Sequence, residues 1–177
     1  MVQELKLFQD SRLISHDYFT LLMLQRIQTL FLAIVSIGMV GFLALPVWSK
    51  TSPTENAVLD AFQLVHHQGI SSYITPTWYI AVLAVLVAGV AAFAITRFKN
   101  RLVQSALCAL NSILMTALMA TVLYFSYSKG KNLFDPQEPG SYQLGFFALL
   151  VAMLSNVLAN RFIRRDERMV KESERMR

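Results

Sequence analysis

Charge is scarce in this sequence. Only 15% of its 177 residues are Asp, Glu, Lys or Arg, while 55% are hydrophobic. A typical soluble domain has about 25% charged and roughly 45–50% apolar residues. The deficit falls in blocks: no charged residue occurs from Ile27 to Ser49, Ala61 to Thr96, Leu102 to Ser128 or Pro139 to Asn160. An ordinary soluble fold is excluded, because so short a chain cannot surround four helices that are apolar on all sides. Cysteine is nearly missing too. Cys108 stands alone, so there is no disulfide framework and no thiol pair for metal or redox work. It reads as a small residue packed inside a span. HExxH, CxxC, a Gly-rich phosphate loop and GxSxG are all absent, and few acids or bases remain for catalysis. The expectation is no enzyme, no cofactor, no metal and no nucleic-acid partner.

What is present is oily segments of one length. A bilayer core about 30 Å thick takes about 20 residues of helix at about 1.5 Å per residue. The predicted spans are Ile27–Trp48, Pro76–Thr96, Leu102–Tyr124 and Tyr142–Ile163. The expected fold is an all-α integral membrane protein: four transmembrane helices in an antiparallel bundle, with a cytoplasmic C-terminal helical extension. Trp48 closes the first span, and Trp78 and Tyr79 open the second behind Pro76, read as a first helical residue. Tyr124 and Tyr127 close the third, and Tyr142 opens the fourth. Such aromatics favour the headgroup layer.

Basic residues fix the threading. Lys6, Arg12 and Arg26 precede the first span, and Arg97, Lys99 and Arg101 join the second to the third. The tail carries Arg161, Arg164, Arg165, Arg168, Lys171, Arg175 and Arg177. Thirteen of the sixteen cations thus fall on one side, leaving Lys50, Lys129 and Lys131 on the other. The richer side faces the cytoplasm, so both termini are inside. The net charge of +5 is then a topology signal.

No Asp, Glu, Lys, Arg or His lies within the predicted spans except Arg161 at the inner rim. That argues against a pump or coupled transporter, which needs such groups at depth. Polar residues inside are uncharged: Ser36, Ser105, Asn111, Ser112, Thr116, Ser155, Asn156 and Asn160. Asn111 sits about 14 Å from the start of its span, and Asn156 about 10 Å from the inner end of the fourth. Their heights allow a hydrogen bond across helices, and Asn111, Asn156, Ser105, Ser112 and Thr116 are expected to act as interhelical glue. Small residues form stripes: Ser105, Ala109, Ser112, Thr116 and Ala120 on span three, and Gly145, Ala148, Ala152, Ser155 and Ala159 on span four. Spans three and four are expected to meet along these faces. Ala84, Ala88 and Ala92 with Gly89 mark span two, and Ser36, Gly38 and Gly41 mark span one; a stripe left over there would serve a dimer or partner.

Outside the spans, Ser52, Pro53 and Glu55 fit a helix start with a capping box, with Val58, Phe62 and Val65 on one face and Gly69 as the stop. Such a helix would lie on the outer surface; a short strand pair is the alternative. His66 and His67 are adjacent and poorly placed to share a metal, so they read as a solvated turn. Pro136, Pro139 and Gly140 make the last outer segment a loop. The tail is expected to prolong span four, with Phe162, Met169 and Met176 forming a narrow seam and Glu167 four residues before Lys171. Arg161, Arg164, Arg165 and Arg168 would anchor on anionic lipid or a partner.

"MLQRIQTL" at residues 23–30, "KNRLVQSALCALN" at 99–111 and "LANRFIRRDERMVKESERMR" at 158–177 resemble, in this order, a bacterial family of small four-span inner-membrane proteins catalogued as a domain of unknown function. The resemblance implies a multi-pass protein of the bacterial cytoplasmic membrane and lends no activity. It places the usual start near Gln25, so residues 1–22 read as an arm and Met23 as the expected start. The expected organisation is arm 1–22, membrane domain 23–163 and basic tail 164–177. The expected role is a non-catalytic scaffold or accessory subunit of a larger membrane complex. The alternative is a small passive channel or lipid- or solute-binding carrier, working as an oligomer around Asn111 and Asn156.

Overall fold

A computed structural model describes residues 27–97, 100–130, 132–134 and 140–175, with side chains described as far as Met169. The arm 1–22 and the Met23 start lie outside the described residues. Four helices are each long and apolar enough to cross a membrane, the build of a multi-pass membrane protein. They are α1 (Ile27–Ala44), α2 (Trp78–Thr96), α3 (Arg101–Tyr124) and α4 (Leu144–Arg175). Helix α4 has 32 residues, about 48 Å at 1.5 Å per residue. It therefore outruns a bilayer core and carries the tail as one continuous helix. Lys171, the expected partner of Glu167, and the seam beyond Met169 fall on side chains outside the described ones.

The fold is not all-α, because the chain also carries a five-stranded antiparallel sheet. The strands are β1 (Trp48–Thr51), β2 (Glu55–Leu59), β3 (Gln63–Gln68), β4 (Ser71–Pro76) and β5 (Ser141–Tyr142), in the order β4-β3-β2-β1-β5. The expected surface helix over Ser52–Gly69 does not form. Glu55 opens β2 instead of capping a helix, and Val58 and Val65 face each other across β2 and β3. Alternation decides the outcome: Trp48 and Lys50 on β1, Ala57 and Leu59 on β2, and Leu64 on β3 are buried at every second position, the period of a half-buried strand. Turn chemistry agrees. Asp60 Oδ1 accepts from the N–H groups of Phe62 and Gln63 at 3.0 and 2.9 Å, closing the β2–β3 turn. Gly69, with φ +57° and Ile70 beside it, closes β3–β4 as a two-residue hairpin with glycine at its first central position.

These strands also move three span ends, one of them Tyr142, which lies in β5 so that α4 opens at Leu144. The first helix stops at Ala44, not Trp48, because Pro46 restricts the residue before it to extended backbone. Val47 N–H then donates to the Leu59 carbonyl at 2.8 Å, and Trp48 enters β1. Trp48 is therefore a buried strand residue and not an interface aromatic. Likewise Pro76 ends the exposed edge strand β4, where its missing N–H is harmless, and α2 begins at Trp78. Helix α3 runs into a π-helical turn, Phe125–Gly130, before the segment leading to β5.

Sheet and helices share one core. Trp48, Ala57, Leu59, Ala61 and Leu64 pack with Met39, Phe42, Ile80, Met115, Leu118 and Leu149. A second cluster at the far end takes Leu32, Ala94, Cys108, Ala159 and Ile163 from all four helices. Helix α3 lies between α2 and α4. Helix α1 lies against α4, where a Cβ on Gly38 would sit 3.1 Å from Ala152 Cβ and 3.2 Å from the Ala148 carbonyl oxygen. Gly89 on α2 meets nothing within 4 Å. Gly38→Val should therefore cost about 1–3 kcal/mol by overpacking, while Gly89→Ala should not destabilise. Thermal unfolding of the two variants in detergent checks this contrast.

Candidate functional site

The polar side chains buried between the helices form layers on α3 and α4. Buried positions of α3 recur as Gln104, Cys108, Asn111, Met115, Leu118 and Val122, alternating steps of four and three that keep one face toward the core. On α4 the facing positions are Ala152, Ser155, Asn156, Ala159 and Ile163.

The middle layer centres on Asn156. Its Oδ1 accepts from Asn111 Nδ2 at 3.4 Å, while its Nδ2 donates to the Cys108 carbonyl at 3.0 Å and to Ser112 Oγ at 2.8 Å. Ser112 Oγ in turn donates to the Cys108 carbonyl at 3.1 Å. One turn on, Ser105 Oγ donates to Asn160 Oδ1 at 3.1 Å. Four of the five residues expected to bridge helices, Asn111, Asn156, Ser105 and Ser112, thus lie in bonds between α3 and α4. Thr116 is a correction: it is exposed, and its hydroxyl donates to the Ser112 carbonyl within α3 at 2.8 Å. The small-residue stripe meets α4 only in its first half, because Thr116 and Ala120 point outward.

Asn156 uses both donor hydrogens and Oδ1, whereas Asn111 holds one bond and its Oδ1 has no partner among the described residues. Asn156→Leu should therefore cost about 2 kcal/mol, from about 0.6 kcal/mol per interhelical bond plus the stranded partners. Asn111→Leu should cost under about 1 kcal/mol. Unfolding titrations with SDS in mixed micelles check the order.

A further polar layer lies toward the tail. Arg101 Nε stands 3.0 Å from Asp166 Oδ2, and the Asp166 side chain is fully buried. Gln28 on α1 and Gln104 on α3 are buried as well. Gln28, Gln104 and Asp166 carry no expectation from the sequence, and Arg101 enters there only as a cation of the loop between spans two and three. The predicted span four ends at Ile163, among the first basic residues, which leaves Asp166 in the basic tail. The available signal was spacing: Gln104 falls one turn before Cys108 on the face that also carries Asn111. Arg161, Arg164, Arg165 and Arg168 are exposed on α4.

At the sheet end, Trp78, Tyr79, Tyr124 and Tyr142 are exposed. His66 and His67 do not form a turn but sit on β3, where alternation sends them to opposite faces. His66 Nε2 meets Glu55 Oε2 at 2.8 Å, and its ring stacks on Phe134 with centroids 5.5 Å apart. His67 Nδ1 pairs with Ser72 Oγ at 2.8 Å. Lys50, buried on β1, donates from Nζ to the Phe134 carbonyl, and its ammonium lies 4.8 Å from that ring's centre. Among the described residues, no three His, Cys, Asp or Glu side chains come together as a metal site would require.

A family model described as a domain of unknown function (DUF4293) matches residues 24–176, so the chain belongs to that family. No curated protein matches.

Proposed function

We propose that this DUF4293 member is a non-catalytic scaffold or accessory subunit of a larger complex in the bacterial inner membrane. Its helices run as an antiparallel bundle with both termini cytoplasmic, the sheet lies outside, and the far end of α4 projects inside. The single observation that carries this reading is the bonding of Asn156, whose donors and Oδ1 are spent on α3. Polar groups at mid-depth therefore hold helices together and leave little to line a pathway. The distribution of Lys and Arg supports the threading. Arg161, Arg164 and Arg165, exposed on α4, would meet anionic headgroups at about 1 kcal/mol each. The length of α4 beyond a bilayer gives a partner something to grip.

Extraction in mild detergent, followed by co-purification and mass spectrometry, tests the proposal. Stable stoichiometric membrane partners are expected. A homo-oligomer alone that passes small solutes in liposomes would overturn it in favour of a passive channel or carrier.

A further inference from the structure

Among the described residues, five buried side-chain atoms at the tail end have no hydrogen-bond partner: Gln28 Nε2, Gln104 Nε2 and Oε1, and Asp166 Oδ1 and Oδ2. They belong to one layer. Leu32, Cys108 and Ile163 share one buried cluster with Ala94 and Ala159. Gln28 lies one turn before Leu32, Gln104 one turn before Cys108, and Asp166 three residues after Ile163, so all three stack just beyond that cluster. The Arg101–Asp166 contact ties Asp166 to the first turn of α3, three residues before Gln104. Arg101 neutralises the carboxylate at short range but is not aligned to hydrogen-bond it. These residues also come from the three stretches quoted for the family resemblance: Gln28 from "QRIQTL", Arg101 and Gln104 from "KNRLVQ", and Asp166 from "RRDERM".

Unpaired polar atoms this deep need a partner. The partner must accept from two amide N–H₂ groups and donate to carboxylate and amide oxygens. A metal cation satisfies only the oxygens, and its charge would add to that of Arg101. A small neutral molecule that both donates and accepts fits all five atoms. We propose that Gln28, Gln104 and Asp166 enclose a hydration site, in which ordered water joins α1, α3 and α4 at the tail end of the helices. The Asn111–Asn156 layer is joined directly; this one is joined through its solvent.

The test is water-edited solid-state NMR on the isotope-labelled full chain in liposomes. Side-chain N–H₂ signals of Gln28 and Gln104 are expected to receive magnetisation from water several times faster than that of Asn156, the internal dry reference. A gadolinium chelate in the bulk should leave them sharp, because the water is enclosed. Gln104→Met should slow the transfer at Gln28; should that variant misfold, the unaltered chain decides alone. Transfer as slow as at Asn156 would overturn the proposal, as would broadening by the chelate. A shift of the Asp166 carboxyl signal when sodium or potassium replaces choline would also overturn it, making the site one for a cation.

Discussion

Trp48→Ala should loosen the sheet from the helices at a cost of about 3–5 kcal/mol, the range for truncating a buried aromatic. Trp48 is among the largest fully buried side chains, with 1% of its surface exposed. It pairs with Leu59 on β2 and Tyr142 on β5, holding the middle of the sheet to its last strand. Two glycines are cut to its shape: a Cβ on Gly130 would lie 2.5 Å from Trp48 Cη2, and one on Gly140 would lie 2.5 Å from Cζ2. Gly140 also has φ +76°, which side chains rarely adopt. With the indole gone, the π-helical turn and the β5 strand lose their common surface. Thermal unfolding in detergent should show the loss, and protease should cut the hairpins between residues 52 and 76 while helical circular dichroism persists. Trp78→Ala, removing an exposed ring, should cost under about 1 kcal/mol if its role is that of a headgroup anchor. Equal losses in the two variants would count against the wedge role of Trp48.

The difference between these tryptophans shows what could be read from the sequence. Both stand at the edge of an oily block, and an edge aromatic has the same signature whether it faces headgroups or plugs a sheet. Pro46 was the deciding residue, since it ends α1 and hands Trp48 to a strand. The helices themselves were legible because apolar runs of that length have few other solutions. The meeting of Asn111 and Asn156 was legible as well, because helical rise counted from opposite ends fixes their heights. The sheet was harder to read. Ser52, Pro53 and Glu55 make a genuine local helix signal, and the alternation at Ala57, Leu59 and Leu64 becomes decisive only once Trp48 and the ends of the helices supply a surface to bury it. Tertiary burial overrode local capping there, as it commonly does for short segments. Asp166 was hidden for a third reason: acids in a basic tail look solvated until α3 is laid against it.

Arg101→Met should cost more than Asp166→Asn, although each breaks the same contact. The two partners differ in burial: the Asp166 side chain has no exposed surface, whereas 22% of that of Arg101 is exposed. Removing the guanidinium strands a buried carboxylate, for which about 3–5 kcal/mol is the usual penalty. Removing the carboxylate's charge leaves a cation that reaches solvent or headgroups at the helix end, and the asparagine keeps the shape and one acceptor. That change should cost about 1 kcal/mol. The double variant should recover most of the loss from Arg101→Met, because no stranded charge remains. The coupling from the double-mutant cycle should therefore be large, at the upper end of the roughly 0.5–3 kcal/mol seen for contacting residues. Melting temperatures of the four proteins in one detergent give the cycle. Repeating it at high salt should leave the coupling nearly unchanged, because ions screen exposed pairs much more than buried ones. Equal single-variant losses that simply add would mean that Asp166 opens to bulk solvent, and α4 would then lack its charged tie to α3 at the tail end.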